Sequence, residues 1–447
     1  MEQTQFLLPH EKVFRDPVHK YIHIENRIIL DLINTPEFQR LRRIKQLGTT
    51  SMTFHGAEHT RFAHCLGVYE ITRRICDNFA RNYPSKKTGD GLWNDDERLV
   101  ALCAALLHDI GHGPYSHTFE HIFNTDHEAW TRQIITSPQT EVNQILRHVS
   151  SDFPEKVASV IAKTYPNEQV VQMISSQIDS DRMDYLLRDA YFTGTNYGTF
   201  DLDRIMRVIR PYQDGIAFNI EGMHAIEDYI VSRFQMYQQV YFHPVSRGME
   251  VVLLKLLQRA QFLYHNQQLT DEALPQLLVP FFQKKISVTN YLRLDDDALN
   301  TYFNLWRDHP DSILRDLVHR FLDRHPFKSI TYQPEQIDLV NKMRDWVKDA
   351  GFTREFYSAL NNSFDLPYDS YDPSSKEPKT QIELIQPDDT LVELSTKSDI
   401  VSALSGHFTG DQRLYFPKEM LLDPQNRTLT PYLQNFQEHI NNNSLVN

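Results

Sequence analysis

The distribution of apolar residues is most informative around residue 100. The segment from Leu99 to Leu107 contains only Leu, Val, Ala and Cys, which predicts a helix buried nearly all round. It is too short to cross a bilayer. It leads into His108-Asp109, and because an unpaired buried imidazole and carboxylate would be costly to desolvate, a divalent cation is the natural compensating group. The glycines and proline of loop 111–114 let the backbone turn closely past a bound group, so the pattern predicts a metal-centred hydrolytic site.

A second helical pattern begins after Thr60, a candidate helix cap. Arg61 and His64 are three residues apart and therefore share a face with the apolar Val68. A lone histidine on an apolar face is more often a buried structural residue than a metal ligand. The residues by themselves therefore favour the structural interpretation of His64.

The segment 177–198 is rich in Asp and Arg. Asp181, Tyr185 and Arg188 follow the spacing i, i+4 and i+7, which places them on one helix face. That face could bring a carboxylate into a site, but an exposed face with ion-paired arginines explains the same residues. Without other information the exposed face is the favoured interpretation.

Helical spacing dominates most of the chain, and strand patterns become frequent after residue 325. Residues 27–47 predict a helix interrupted at Thr35-Pro36, and long helices are expected at 222–241 and 246–266. Strand patterns occur at 21–24, 215–220, 327–332, 380–385 and 390–395, with a helix at 334–349.

We therefore expect a mainly α fold with a smaller α+β C-terminal region, divided into domains 1–325 and 326–447. The stretch 365–379 is rich in Pro, Ser, Asp and Tyr and predicts an exposed loop. The polar tail 437–447 is expected to be disordered.

Composition narrows the class of protein. The formal net charge of −13 argues against a general nucleic-acid coat and against an anionic membrane surface, although local arginines could still hold an anionic ligand. Cys65, Cys76 and Cys103 lack metal or redox spacing and are expected to be buried thiols in a reducing cytoplasm. No signal peptide or transmembrane segment is evident, so we expect a cytoplasmic protein.

The order H…HD…D of the candidate ligands resembles the HD-domain metal phosphohydrolases. The motifs RFAHCLG, HDIGHGPYSH and DSDRMDY are similar to those of the deoxynucleoside triphosphate (dNTP) triphosphohydrolases, including bacterial dGTPase-like enzymes and the mammalian SAM-and-HD-domain dNTPase. FRDPVH and TPEFQRLRRIKQLG near the N-terminus also resemble that subgroup. The resemblance is specific from Lys12 to Arg210 and looser to about residue 330. It implies an HD-domain helical core, with an N-terminal regulatory or interface segment, across residues 1–325.

The resemblance implies hydrolysis of a dNTP to a deoxynucleoside and inorganic triphosphate. It implies one divalent transition metal, with Mn, Fe, Ni and Zn left open, and Mg bound with the triphosphate. The implied metal ligands are His64, His108, Asp109 and Asp181. The implied catalytic residues are His117 as general acid, Glu120 as its partner, and His112 and His127 on phosphate oxygens. The implied substrate-binding residues are Arg61 on phosphate, and Gln46, Leu47, Tyr185 and Asp189 around the sugar and base.

The resemblance also implies a dNTP effector bound between the subunits of a homotetramer. The matching positions are Lys12, Asn34, Gln39, Arg42 and Arg204. Asn34 stands where the mammalian member has an Asp that reads guanine, and an amide offers no carboxylate to accept two guanine N–H groups. The alternative is that these basic residues serve only a subunit interface.

Two other functional classes stay open. One is a different HD phosphohydrolase, such as a deoxynucleoside monophosphatase or a cyclic-nucleotide phosphodiesterase. The other is a non-catalytic nucleotide sensor, which should have lost a metal ligand or His117, and the sequence retains them all.

Overall fold

The computed structural model describes residues 3–213, 215–362, 381–404, 412–421 and 429–446. Within them the fold is mainly helical, as expected. The helices are α1 (Arg27–Asn34), α2 (Pro36–Arg40), α3 (Arg61–Asn82), α4 (Arg98–Leu107), α5 (His117–Phe123), α6 (His127–Thr136), α7 (Glu141–Arg147), α8 (Phe153–Ile161), α9 (Glu168–Ile174), α10 (Ser180–Thr193), α11 (Leu202–Val208), α12 (Met223–Met236), α13 (Pro244–His265), α14 (Val279–Phe282), α15 (Val288–Leu292), α16 (Asp296–Leu305), α17 (Ser312–Leu322), α18 (Ile337–Asp349), α19 (Arg354–Tyr357), α20 (Asp399–Leu404) and α21 (Thr430–Glu438).

Three small sheets accompany the helices. The strands are β1 (Leu7–Asp16), β2 (Lys20–Asn26), β3 (Ile209–Tyr212), β4 (Gly215–Asn219), β5 (Lys328–Thr331), β6 (Ala359–Asn362), β7 (Glu383–Ile385), β8 (Leu391–Glu393), β9 (Gln412–Phe416), β10 (Ile440–Asn441) and β11 (Ser444–Leu445). β1 and β2 form an antiparallel hairpin, and the other sheets have the orders β3-β4-β7-β8 and β10-β11-β5-β9-β6.

The buried apolar residues form two cores. The first surrounds α3, α4 and α10, and the apolar side chains of α4 from Leu99 to Leu107 all lie inside it. The second is built around α13, α17 and the five-stranded sheet. It includes Tyr115 from the loop before α5 and Trp130 of α6. Leu384 of β7 returns to the first core, where β7 pairs in parallel with β4. Each core therefore draws on distant parts of the chain, and the division at residue 325 stays a prediction.

Most predicted elements form close to the expected positions. Thr35 caps α2 by accepting a hydrogen bond from the N–H of Phe38, with Pro36 as the first helical residue. Thr60 precedes α3 as expected, but its side chain makes no capping hydrogen bond, so that detail of the prediction is wrong. The backbone N–H of His64 instead bonds the Thr60 carbonyl as part of the helix itself.

The expectation of a disordered tail is wrong within the described residues. β10 and β11 form a short hairpin, and Ser444 pairs in parallel with Thr331 of β5. Leu445 is buried in the second core, and this apolar contact holds the tail in place. The prediction failed because the residues around Leu445 are mostly polar. The predicted loop 365–379 lies outside the described residues.

The expectation for the three cysteines is also met. Cys65, Cys76 and Cys103 are buried free thiols. Among the described residues, no helix combines the length and apolar character that crossing a membrane would require.

One buried carboxylate, on α16, links that helix to the segment after α2 and to the loop before α5. Asp296, at the start of α16, accepts hydrogen bonds from the N–H groups of Tyr115 and Lys45, both at 2.9 Å. Burial raises the pKa of Asp296 to about 6 despite these bonds. The carboxyl group therefore binds a proton more tightly in the folded protein than in the unfolded chain.

This predicts a specific pH dependence of stability. The contribution of Asp296 is present at low pH and is lost as pH rises through about 6. Relative to Asp296→Asn, the wild type should lose about 1 kcal/mol of unfolding free energy between about pH 5 and about pH 8, measured by urea denaturation. The control Asp297→Asn, at an exposed neighbour, should follow the wild type. Parallel pH profiles for wild type and Asp296→Asn would contradict the assignment.

Candidate metal centre

His64 lies on the first turn of α3 and is completely buried. Its Nδ1 donates a hydrogen bond to Asp184 Oδ2 at 2.8 Å, which leaves the lone pair on Nε2. Nε2 faces Asp181 Oδ1 at 3.0 Å. A carboxylate behind a histidine in this arrangement fixes the ring orientation that a metal ligand needs.

His108 follows the last residue of α4, and its Nδ1 is also held by a hydrogen bond, here to a backbone carbonyl. Its Nδ1 donates to the carbonyl of Ala105 at 2.9 Å, so the lone pair is again on Nε2. That atom lies 3.5 Å from Asp181 Oδ1 and 3.4 Å from Asp109 Oδ1. The buried imidazole and carboxylate predicted at the end of the apolar helix are therefore present.

These residues fit a divalent cation. Ligand atoms of His64, His108 and Asp181 lie within 4.8 Å of one another, and Asp109 lies beside both histidines. The Nε2 atoms of His64 and His108 are buried without a hydrogen-bond partner among the described residues. Two imidazoles and two carboxylates form a mixed nitrogen and oxygen set that suits a divalent transition metal. The structure therefore brings the four predicted ligands together.

The electrostatics of the cluster favour positive charge. Burial alone lowers the pKa of His64, but the negative charges of Asp181 and Asp184 and the hydrogen bond to Asp184 outweigh it and raise that pKa to about 10. Burial raises the pKa of Asp181, but the two histidines outweigh it and lower that pKa. The carboxylates thus stay ionised inside the protein, and they attract either protons on the histidines or a metal cation.

Asp184 is held from behind by α10 and by a close approach of α3. Arg188 Nε and Nη2 donate to its two oxygens, both at 2.9 Å. Gly67 of α3 leaves the room for this pair, because a Cβ there would overlap Asp184 Oδ1 and approach Arg188 Nη2 to 2.5 Å. The glycine of the RFAHCLG motif therefore has a packing role beside the predicted ligand His64.

Arg61 connects the cluster to the loop that precedes α5. Its guanidinium forms an ion pair with Asp109 and donates from Nη2 to Ser116 Oγ at 2.9 Å. Burial raises the pKa of Asp109, but His108 and Arg61 outweigh it and hold that pKa well below its usual range.

The loop before α5 has a strained backbone. Tyr115 and Ser116 both adopt positive φ angles, of 52° and 50°, which are unfavourable for residues other than glycine.

The loop after His108 is clamped by a buried arginine that sequence reasoning missed. Arg40 is 2% exposed and donates to the carbonyls of Leu294 at 2.7 Å and His112 at 2.8 Å. Gly111 packs directly on α6, because a Cβ would overlap the His127 carbonyl and the Thr131 nitrogen. No spacing rule marks Arg40 as the buried member of the basic run 40–45.

His112 and His127 form a stacked pair next to Asp109, with ring centroids 4.0 Å apart. His112 Nε2 lies 3.3 Å from Asp109 Oδ1, and His127 Nδ1 donates to Glu120 Oε1 at 2.9 Å. Burial and the charges of Arg61 and His127 lower the pKa of His112 well below its usual value. Burial lowers the pKa of His127, but Glu120 outweighs it and raises that pKa. One imidazole is thus kept neutral and the other favours its charged form.

His117 begins α5, but its side chain lies outside the described part of the structure. The pairing of His117 with Glu120 therefore stays a prediction. His127, whose side chain is described, donates one hydrogen bond to the Glu120 carboxylate.

Two of the residues expected around the sugar and base, Gln46 and Asp189, are linked through His59, whose carbonyl accepts a hydrogen bond from the Gln46 N–H at 3.0 Å. The buried Oε1 of Gln46 has no hydrogen-bond partner among the described residues, while Leu47 is partly buried. Asp189 accepts hydrogen bonds from His59 at 2.8 Å and Tyr241 at 2.7 Å. His59 also stacks on Phe192. It is a second residue that sequence reasoning missed, because a single histidine outside a recognisable motif does not indicate a role.

An aromatic wall adjoins Asp189. The hydroxyl groups of Tyr185 and Tyr237 are 3.2 Å apart, and the Tyr185 and Tyr241 rings pack edge to face at 6.2 Å. Tyr237 and Tyr241 belong to a single π-helical turn that extends α12. Such turns occur frequently at functional sites.

The five predicted effector residues lie on the N-terminal elements and on α11. Arg42 Nε donates to Gln39 Oε1 at 2.8 Å, and the Arg42 guanidinium lies 3.5 Å above the Phe62 ring. Asn34 is exposed at the end of α1, and Lys12 is exposed on β1. Arg204 donates to the Glu221 carbonyl at 2.7 Å. Gln39 and Arg42 are therefore in direct contact, while the others lie on separate elements.

Comparisons with known proteins identify the family of this chain. The sequence profile of the HD domain matches residues 61–189, and that of the HD associated region matches residues 200–276. The chain is 50% identical over 417 residues to the uncharacterized protein YwfO of Bacillus subtilis, covering 93% of this chain and 94% of that protein. It is 30% identical over 280 residues to the deoxynucleoside triphosphate triphosphohydrolase SAMHD1 homolog of Dictyostelium discoideum, covering 58% of this chain and 52% of that protein. The solved structure of a phosphohydrolase from Bacteroides thetaiotaomicron has a TM-score of 0.78 at 27% identity, covering 92% of this chain and 100% of that one.

The packing of Gly67 on Asp184 predicts the effect of a single methyl group. Gly67→Ala should displace Asp184 and Arg188, lower metal affinity by roughly 10-fold or more, and cost about 1–3 kcal/mol of stability. Metal affinity can be measured by competition with a chromogenic chelator, and stability by urea denaturation.

Gly194→Ala provides the matched control. Gly194 ends α10 with a φ of 73° and has nothing within 4 Å of an added Cβ. Its substitution should cost about 1 kcal/mol of backbone strain and leave metal affinity unchanged. Equal metal affinity in Gly67→Ala and Gly194→Ala would show that the close packing behind Asp184 is unimportant for the site.

Proposed function

This chain belongs to the HD-domain phosphohydrolases, and from that premise we propose that it hydrolyses dNTPs to a deoxynucleoside and inorganic triphosphate. The observation that carries the proposal is the buried His–Asp cluster bordered by Arg61 and the stacked pair His112 and His127. A divalent cation beside cationic side chains suits a polyphosphate ester. The resemblance to SAMHD1 proteins, named as dNTP triphosphohydrolases, supports the choice of substrate.

The chemistry divides between a bound metal and the residues around it. When bound to His64, His108, Asp109 and Asp181, a divalent metal supplies Lewis-acid activation of water and of a phosphate oxygen. The water oxygen forms a bond to the α-phosphorus and the bond from phosphorus to the 5′-oxygen breaks. The 5′-oxygen is a poor leaving group and must receive a proton.

The described residues can perform the remaining tasks. Arg61 and the charged form of His127 offer N–H groups to phosphate oxygens. Glu120 holds His127 in its orientation through the 2.9 Å hydrogen bond. We assign proton donation to the 5′-oxygen to His117, at the start of α5, on the strength of its matching motif. Tyr185, with Asp189 and its partner His59, is assigned to the sugar pocket, where a close aromatic ring would exclude a 2′-hydroxyl.

The test is product analysis combined with loss of a ligand. Incubated with each dNTP and a divalent metal, the wild type should release inorganic triphosphate and deoxynucleoside, separated by ion-exchange chromatography. Asp181→Asn should lose both bound metal and turnover, because a neutral amide is a weaker ligand. Asp203→Asn, the same change at an exposed carboxylate on α11, is the matched control and should retain its metal.

The products also distinguish the alternatives. Orthophosphate from a deoxynucleoside monophosphate, or opening of a cyclic nucleotide, would indicate another HD phosphohydrolase. A full equivalent of metal in Asp181→Asn, measured by elemental analysis, would remove Asp181 from the ligand set.

We further propose that a dNTP effector binds between subunits of a homotetramer, at Lys12, Asn34, Gln39, Arg42 and Arg204. An interface lined with basic groups would repel itself when empty, and a triphosphate would neutralise it and favour the assembled state. The contact of Arg42 with Gln39 and Phe62 gives the guanidinium a defined position near the surface. Asn34 leaves the identity of the preferred effector base open.

This predicts stimulation of one dNTP's hydrolysis by another. Arg42→Ala should weaken the stimulation while keeping metal content unchanged, since Arg42 makes no contact with the His–Asp cluster among the described residues. The measurement is initial rate at a fixed substrate dNTP, titrated with each of the other three. Arg27→Ala, an exposed arginine on α1, is the control and should respond like the wild type. Flat responses in every variant would leave these residues as surface or interface charges.

A further inference from the structure

Asp184 links the metal centre to a second histidine that lies outside it. Its Oδ2 accepts from His64 Nδ1 at 2.8 Å, and its Oδ1 accepts from His19 Nε2 at 2.6 Å. Asp184 is completely buried, and the side chain of His19 is only 2% exposed. The three side chains thus form a continuous buried path, His19 to Asp184 to His64, that ends at the metal ligand.

His19 lies in the turn of the N-terminal hairpin, between β1 and β2. Asp16 Oδ1 accepts the backbone N–H groups of Val18 and His19, both at 2.9 Å, which fixes the shape of the turn. Arg188 Nη1 in turn donates to Asp16 Oδ2 at 2.8 Å. The turn is therefore anchored on α10 by Arg188 as well as through His19.

Strand β1 is mostly exposed, whereas β2 packs into the first core through Ile22 and Ile24. Leu7 is 54% exposed, Val13 43% and Tyr21 44%. Beside the turn, a cavity of about 670 Å³ is lined by Pro17, His19 and residues of α10 and the loop after it. The hairpin therefore meets the protein interior both along β2 and at its turn, and there is space next to the turn.

We propose that His19 is a positioning residue for the metal centre, and that the hairpin turn sets the orientation of His64 through Asp184. A hydrogen bond behind a ligating histidine controls its ring orientation and basicity. Arg188 supplies most of the charge that Asp184 needs, whereas His19 contacts the carboxylate from the hairpin side. Movement of the hairpin, for example on subunit assembly, would thus change the metal site without touching it. The inference rests on the proposed function only in assuming that the cluster binds a divalent metal.

The test uses the full chain loaded with Co²⁺, whose absorption spectrum reports ligand geometry. His19→Leu and His19→Asn should weaken Co²⁺ binding by roughly 10- to 100-fold, the range for loss of a group behind a metal ligand, and should alter the spectrum. His19→Gln should rescue both properties, because its amide nitrogen reaches about as far as Nε2, whereas that of Asn does not. Affinity is measured by competition with a chelator, without any nucleotide.

His23→Leu is the matched control on the same hairpin. The side chain of His23 is 36% exposed and pairs with Glu11 at the surface, so its loss should leave Co²⁺ affinity and spectrum unchanged. Thermal unfolding of each metal-free variant separates folding from metal binding. If His19→Leu does not fold, the comparison of Asn with Gln still decides.

Two results would overturn the proposal. Wild-type Co²⁺ affinity and spectrum in both His19→Leu and His19→Asn would show that the metal centre ignores the turn. Equal loss in His19→Gln and His19→Asn would assign His19 a structural role only. Both outcomes are independent of the substrate, so they are distinguishable from failure of the dNTP hydrolysis assay.

Discussion

A completely buried carboxylate, Asp184, is the constraint on which the site depends. An ionised carboxylate in a protein interior is stable only when charged and hydrogen-bonded partners surround it. Here Arg188 provides the charge, while His64 and His19 provide N–H groups. Because these partners come from α3, α10 and the N-terminal hairpin, satisfying one carboxylate fixes the relative position of three elements.

The loop after α4 shows how two buried arginines can have different functions. Arg40 bonds only backbone carbonyls in this region, and so it fixes the path of residues 110–112. Arg61 instead pairs with Asp109 and Ser116, at the border of the cluster, where a phosphate would bring further negative charge. We therefore assign Arg40 to the scaffold, whereas a contact of Arg61 with phosphate is part of the proposed function.

The two hydrophobic cores meet at the same loop. The apolar side chains of α4 and Ile110 belong to the first core, whereas Tyr115 and Phe119 pack into the second with α13. The segment between His108 and α5 is therefore held by apolar contacts with both cores. This shared position explains how a loop with a strained backbone at Tyr115 and Ser116 can keep a defined conformation.

The sequence by itself determined the apolar helix that ends in His108-Asp109, most of the helices and strands, and the mainly helical class. Those features depend on local spacing, capping and turn residues, which a single sequence displays. It could not assign His64 and Asp181 from spacing alone, and needed the resemblance of its motifs to do so. Only the tertiary structure revealed Arg40, His59 and His19 as partners of the site, and it alone ordered the tail through Leu445. The reason is physical: their roles arise from hydrogen bonds and burial between residues far apart in the chain, and no local pattern records such contacts.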